Sequence, residues 1–285
     1  MTLLTPKTLP ELAAEAGENG FAIGSPVGFS DAESRLVGNA FDVDGAQTLR
    51  HFIKFEYFQA LLQNRALRLR PLNGFDDDPA EGTLSDANAA GASHMGSQLA
   101  QQWGTNPETD GWKHFINGTL RRLTYVHCWF GQEEEDQAMW ERYGDGGRGV
   151  CLKTTVRRLG ESIKMPLLLR PEVCKVTYLD ESVPIPTVIP SLASCRKRPK
   201  FAYEKEFRLK MELGSQECPQ GASGELLPPG HQMVPVDLDR LIERVVPGPN
   251  TNDEFVEKLE AAVKAAGLNR LVCKSQLPPW NSQPQ

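Results

Sequence analysis

The segment with the densest chemical potential is Tyr203-Glu204-Lys205-Glu206-Phe207-Arg208, which continues to Leu213. Read as a strand, its side chains alternate between two faces. Phe207, Leu209, Met211 and Leu213 fall on one face, and Glu204, Glu206, Arg208, Lys210 and Glu212 on the other. Two carboxylates two residues apart lie ~7 Å apart on that face, from a strand rise of ~3.3 Å per residue. Like charges that close raise one another's pKa unless Arg208 offsets the effect. Such a pair can act as a general base or stabilise a cationic transition state. The same pattern also reads as a solvated strand face carrying cross-strand ion pairs.

A second group is the loop around Asp76, Asp77, Asp78 and Glu81, with Pro79 as a turn former. It reads as a clamp for substrate hydroxyls, as a weak cation site, or as an acidic surface turn. The run Arg196-Lys197-Arg198-Pro199-Lys200 can grip a phosphate, or it can simply be a solvated loop. Met139, Trp140 and Tyr143 stand at helical spacing, which is most simply a core face. Of the five histidines, His51 and His127 fall within expected strands, and no pair has metal-helix spacing. No metal is expected.

These residues need elements to hold them. A strand is expected at Leu49–Lys54, then a helix burying Phe55, Phe58, Leu61 and Leu62 and ending at Asn64. Further strands are expected at Ala66–Leu69, Leu123–Phe130, Val150–Thr155, Glu172–Leu179, Glu204–Leu213, Met233–Val236 and Arg270–Leu277. Helices are expected at Trp112–Leu123, after the acidic start Glu133–Asp136, at Leu238–Val246 (or a helix passing into a strand) and behind a capping box at Thr251–Glu254. This irregular alternation argues for an α+β fold with mixed, mostly antiparallel sheets and peripheral helices. The expected organisation is an N-terminal arm over 1–46, a single domain over 47–277 with a mobile insertion at 82–111, and a disordered tail at 278–285.

The composition is that of an ordinary globular protein: 285 residues, 40% apolar, 24% charged and a net charge of −6. That balance excludes a uniformly basic nucleic-acid-binding surface. The six cysteines are too widely spaced for zinc-type pairing and read as buried free thiols. No signal peptide or membrane-length apolar run is present in the sequence, so a cytoplasmic protein with no membrane partner is expected.

Several segments in order resemble a bacterial family catalogued as domain of unknown function twenty-nine seventy-one. They are Phe75–Glu81, Cys128-Trp129, Met139-Trp140 with Tyr143, Gly149-Val150, Val176–Asp180, Lys197-Arg198, Phe201, Glu204-x-Glu206-x-Arg208 and Lys274–Leu277. The chain departs from that family's pattern at Asp77, where Asn is usual, and at His127, where Ser is common. A strand with a polar residue, a short helix, a second strand and a late Glu-x-Glu also resembles the ADP-ribosyltransferase layout. That resemblance implies a toxin or defence protein that cleaves NAD, with Glu206 catalytic and Glu204 assisting. Under it His51, Thr154, Tyr143, Trp140 and Arg208 lie around NAD, while Asp77, Asp78, Glu81, Lys197 and Arg198 stay the candidates for substrate or anion groups. The acceptor, protein or nucleic acid, stays open. Two other readings remain open: a non-enzymatic sensor of a nucleotide or phage component, and a metal-dependent nuclease built on Asp76–Glu81 with Lys205 or Lys210.

Overall fold

The computed structural model describes residues 43–75, 78, 80–83, 115–166, 171–180, 190–214, 218–219, 228–269 and 272–280, together with Ala40. Most of the expected N-terminal arm, of the expected insertion and of the expected tail, together with Asp76 and Asp77, lie outside the described residues.

The chain is an α+β protein. Strand β1 (Thr48–Ile53) leads into helix α1 (Phe55–Asn64) and β2 (Ala66–Pro71). Helix α1 buries Phe58, Leu61 and Leu62, and Arg65 ends it in a left-handed turn with φ of 49°. Strand β3 (Thr124–Phe130) precedes α2 (Gln137–Tyr143), whose first turn is capped by the Asp136 carboxylate. β4 (Val150–Thr155) runs into α3 (Val156–Ser162). β5 (Glu172–Lys175), β6 (Thr177–Tyr178), β7 (Arg196–Lys197) and β8 (Glu206–Glu212) follow. β9 (Gln232–Pro235), α4 (Leu238–Leu241), β10 (Arg244–Pro247) and α5 (Asp253–Ala265) complete the order.

Eight strands form one sheet. Its main path runs β10-β4-β1-β3-β2-β9, and β8 joins β3 to β5. All of its named-strand pairings are antiparallel, whereas β6 and β7 pair in parallel apart from it. The sheet branches at β3. One edge of β3 pairs with β8 along its whole length. On the other edge, β2 pairs at Tyr125 and Val126 and β1 at Phe130. Between those contacts the sheet splits, and the Nδ1 of His51 lies 3.0 Å from the Cys128 carbonyl oxygen. A backbone carbonyl left by the split thereby gains a partner, as a partly buried polar group requires.

The register sorts the side chains into two faces. Leu49, Tyr125, Trp129, Leu152, Phe207, Leu209 and Val245 lie on one face and form the main core with α1, α3, α4 and α5. Arg50, Phe52, Cys128, Phe130, Glu206 and Arg208 lie on the other. There Phe52, Phe130, Met139, Trp140, Cys151 and Val246 form a second, smaller core beneath α2.

Several expected elements differ. Strand β8 starts at Glu206, not Glu204, because Pro199–Glu204 is a 3-10 helix and Lys205 turns left-handed with φ of 41°. That turn brings the Lys205 carbonyl to the Gly131 amide at 2.9 Å, and a Cβ at Gly131 would collide with the Phe207 ring. The cap of α5 is Asn252, whose side chain accepts from the Phe255 amide, while the Thr251 hydroxyl donates to Gly248. Within the expected last strand the described residues hold only a bridge between Val272 and Val245. The stretch 172–179 breaks into β5 and β6.

Trp140 has no exposed surface, packs edge-on against Phe52 at 4.9 Å and donates its indole N–H to Glu135 at 3.0 Å. Trp140→Ala should therefore lower stability by ~3–5 kcal/mol in urea unfolding, the usual result of emptying a large aromatic site. A variant as stable as the parent would remove Trp140 from the core.

Candidate functional site

The polar face of the sheet is closed in three places. The 3-10 helices Pro190–Cys195 and Pro199–Glu204 lie on either side of Arg196-Lys197, and a tight turn covers Asp78 to Thr83. Together they bury a cluster of charge. The Arg208 guanidinium has no exposed surface. Its Nε donates to Glu206 Oε1 at 2.7 Å and its Nη2 to Glu206 Oε2 at 3.1 Å. Nη2 also meets Glu81, and Nη1 donates to the Ser194 carbonyl.

Lys197 is the second hub. Its Nζ lies 2.5 Å from Glu204 Oε2, 3.2 Å from Glu206 Oε2 and 3.8 Å from Glu81 Oε2. Three carboxylates are thus gathered around two cations, all buried. Among the described residues, no group of His, Cys, Asp and Glu is arranged to hold a metal ion. An ammonium group occupies the centre of this carboxylate set. Beside it Asp78, itself buried, pairs with Arg198 at 2.5 Å.

The surroundings drive the carboxyl groups apart. Burial works against charge on Glu206, yet Arg208 and Lys197 outweigh it and hold the group down at about 2. Burial pushes Glu81 up, Arg208 offsets this only in part, and the Glu206 charge pushes the same way as burial. Lys197 is held above its ordinary range because the carboxylates prevail over burial. Two carboxyl groups side by side, shifted in opposite directions by their surroundings, is a pattern found at acid–base sites.

A cavity of about 520 Å³ opens onto this cluster. Asp78, Glu81, Glu204, Glu206 and Lys197 form its polar lining, and Phe52, Phe75, Phe130, Met139, Tyr143, Phe201 and Tyr203 its apolar and aromatic walls. Tyr143 donates its hydroxyl to Glu204 Oε1 at 2.8 Å, and burial followed by the Glu204 charge raises its pKa. Arg142 lies over the Tyr203 ring, 4.5 Å from its centre, and borders the cavity. The Tyr178 hydroxyl accepts from the Glu206 amide at 2.8 Å and fixes the start of β8.

The expected site residues divide accordingly. Glu204, Glu206, Tyr143, Asp78, Glu81 and Lys197 meet at the cavity, with Arg208 directly behind them. The reading of Glu206, Arg208 and Lys210 as a solvated face is overturned, since all three are buried. Glu204 comes from the end of the 3-10 helix Pro199–Glu204 and not from the strand. Lys197 is enclosed by carboxylates, so its charge is not directed at an incoming anion, and Arg198 is paired with Asp78. Lys210 pairs with Glu172 at 2.7 Å, and Lys205 meets Gln132 at the surface. Asp77 lies outside the described residues.

Three residues expected around NAD have protein partners in this structure. His51 borders the cavity, but alternation directs its ring to the opposite sheet face, where its centre lies 4.3 Å from that of His127 and 5.2 Å from that of Trp129, tilted by 46° to both. Thr154 is buried on that same face and donates to the Leu241 carbonyl. Trp140 is core. Arg50, one residue from His51, lies on the cavity face, but its guanidinium is held by the Glu133 carbonyl.

Sequence reasoning missed the aromatic ring set Phe75, Phe201 and Tyr203 and the pairing of Glu81 with Arg208. Phe201 carried a signal, since it lies two residues from Tyr203 in the most charged part of the chain. Comparison with protein-family models, curated proteins and solved structures finds no match to this chain. No helix among the described residues is long and apolar enough to cross a membrane.

Two outcomes are expected. Arg208→Met strands two buried carboxylates and should destabilise by ~3–5 kcal/mol, read as a lowered urea midpoint. An unchanged midpoint would mean the cluster is not buried as described. The histidines should set the acid limb of stability. Burial lowers His51 to about 4 and, with the nearby His51, lowers His127 as well. Between about 4 and their ordinary value of ~6.5, the unfolded chain binds more protons than the folded one, so stability falls as pH drops through that window. His51→Gln should flatten that slope in urea titrations between pH 7 and 4. An unaltered slope would assign the acid loss to other groups.

Proposed function

We propose that this chain is an enzyme acting on the N-glycosidic bond of a nucleotide, with NAD as the first substrate to test. The observation that carries the reading is the aromatic-walled cavity opening onto Glu204, Glu206 and Glu81, in which the environment lowers the Glu206 carboxyl and raises that of Glu81. Its volume falls within the range of about 300–1,000 Å³ usual for small-molecule sites.

The chemistry follows from the charges. When nicotinamide leaves, it takes the bonding electron pair and positive charge develops on the ribose. A preorganised carboxylate beside the sugar favours that state. Glu204 suits this role, because its Tyr143 hydrogen bond comes from the cavity wall and a ribose hydroxyl can replace it. Glu81, with its raised pKa, suits proton transfer with the attacking water or acceptor hydroxyl. Glu206 serves as fixed negative charge, since Arg208 engages both its oxygens. Phe75, Phe201 and Tyr203 suit a base ring, and Arg142 at the rim suits a pyrophosphate. The acceptor is a protein or a nucleic acid in a transferase, and water in a hydrolase.

One observation favours a second reading, a nucleotide sensor without turnover: Glu206 is fully paired and Lys197 is enclosed. The two readings separate in one experiment, NAD binding by calorimetry beside nicotinamide release by NMR. Release that falls about 10²-fold or more in Glu204→Gln, with unfolding unchanged, supports the enzyme. Binding without release supports the sensor. Neither binding nor release rejects NAD for both.

A further inference from the structure

Cys174 and Cys195 lie on the charged face, away from the cavity lining. Cys174 stands opposite Arg208 in the β5–β8 register. Cys195 ends the 3-10 helix Pro190–Cys195 and leads directly into Arg196-Lys197. Both side chains have no exposed surface and both are free thiols. Their Sγ atoms are 3.0 Å apart across 21 residues of sequence. Two unbonded sulfur atoms ordinarily rest further apart, and a bond between them needs only about 1 Å more of approach, to ~2.05 Å. The sequence separation makes this proximity a product of the fold.

We propose that Cys174 and Cys195 form a reversible disulfide, a covalent modification site that fastens the segment bearing Lys197 to β5. The two thiols are chemically unequal. The Cys174 thiol beside it, and then the charges of Lys210 and Arg208, lower the Cys195 thiol, while the contact with Cys195 and burial raise Cys174. We assign Cys195 as the attacking sulfur, because it ends the 3-10 helix that can open locally while Cys174 is held in β5. With a peroxide as oxidant, the Cys195 thiolate takes one peroxide oxygen to give a sulfenic acid, and the other oxygen leaves as hydroxide. The Cys174 sulfur then displaces the second hydroxide from Cys195 and the sulfur–sulfur bond forms. The two thiol protons end in two waters, and the two electrons lost by the thiols reduce the peroxide. A small oxidant suits so enclosed a pair, reaching it through local opening of the 3-10 segment.

The bridge bears on the charge cluster through short paths. Ser194, next to Cys195, accepts from Arg208 Nη1, and Lys197 follows two residues later. Oxidation should hold both cations in place and slow amide exchange from Ser194 to Lys197. This proposal does not depend on the substrate assigned to the cavity.

The test uses the full chain, first reduced, then treated with hydrogen peroxide, quenched with an alkylating agent in denaturant and mapped by mass spectrometry. The expected product is a Cys174–Cys195 peptide pair lighter by two hydrogen atoms, restored by a thiol reductant, with slower amide exchange over Ser194–Lys197. The same oxidation in urea should give mixed pairings. Alkylation of both cysteines when Cys128 and Cys273 are already oxidised would overturn the proposal. Equal yield of the pair in urea would overturn it too, because the fold would then not be its cause. Cys174→Ser gives a second readout: sulfenic acid trapped at Cys195 supports the assigned order of attack, and its absence there overturns that order.

Discussion

The buried guanidinium of Arg208 is the contact on which the rest of the polar face depends. It engages both oxygens of Glu206, meets Glu81 and donates to the Ser194 carbonyl. Those partners come from the strand itself, from the Asp78–Thr83 turn and from the 3-10 helix before β7. A single side chain therefore joins three segments, two of which line the cavity through Glu206 and through Asp78 and Glu81. Burying so many charges is unfavourable unless each is paired and hydrogen-bonded, which is why Lys197 completes the set from its own strand.

The sheet supplies the precision. Because β3 pairs with β8 along its length, Cys128 and Phe130 lie opposite Arg208 and Glu206. The full core on the far face fixes that register, since a slip by one residue would exchange Phe207 and Leu209 for charged groups. The same alternation separates His51 from the cavity and gives it a structural task at the split in the sheet. The function we propose rests on this division of labour: an apolar face that locks geometry, and a charged face that shifts the Glu81 and Glu206 carboxyl groups in opposite directions.

Much of this was legible in the chain. The α+β class followed from strands and helices in irregular alternation, and the apolar face of β8 followed from Phe207, Leu209 and Met211 at alternate positions. Glu204, Glu206 and Arg208 were correctly placed together. Burial of the other face was not legible, because alternating Glu, Arg and Lys looks the same whether water or opposite charge covers it. Glu81 lies 127 residues from Arg208, and no local spacing reports such a contact. The strand start was misread at Glu204 because Pro199 initiates a 3-10 turn that a charged, strand-like pattern conceals. His51 borders the cavity as expected by position, but its ring contacts with His127 and Trp129 come from a neighbouring strand, and local spacing does not report them.

The most direct measurement is a pH titration of the glutamate side-chain carboxyl carbons by ¹³C NMR, with Glu81→Gln and Glu206→Gln for assignment. One signal should titrate above the ordinary glutamate range and disappear in Glu81→Gln. Another should stay ionised until about pH 2 and disappear in Glu206→Gln. If both groups titrated at the ordinary ~4.3, the cluster would be open to solvent, and the acid–base site would have no physical basis.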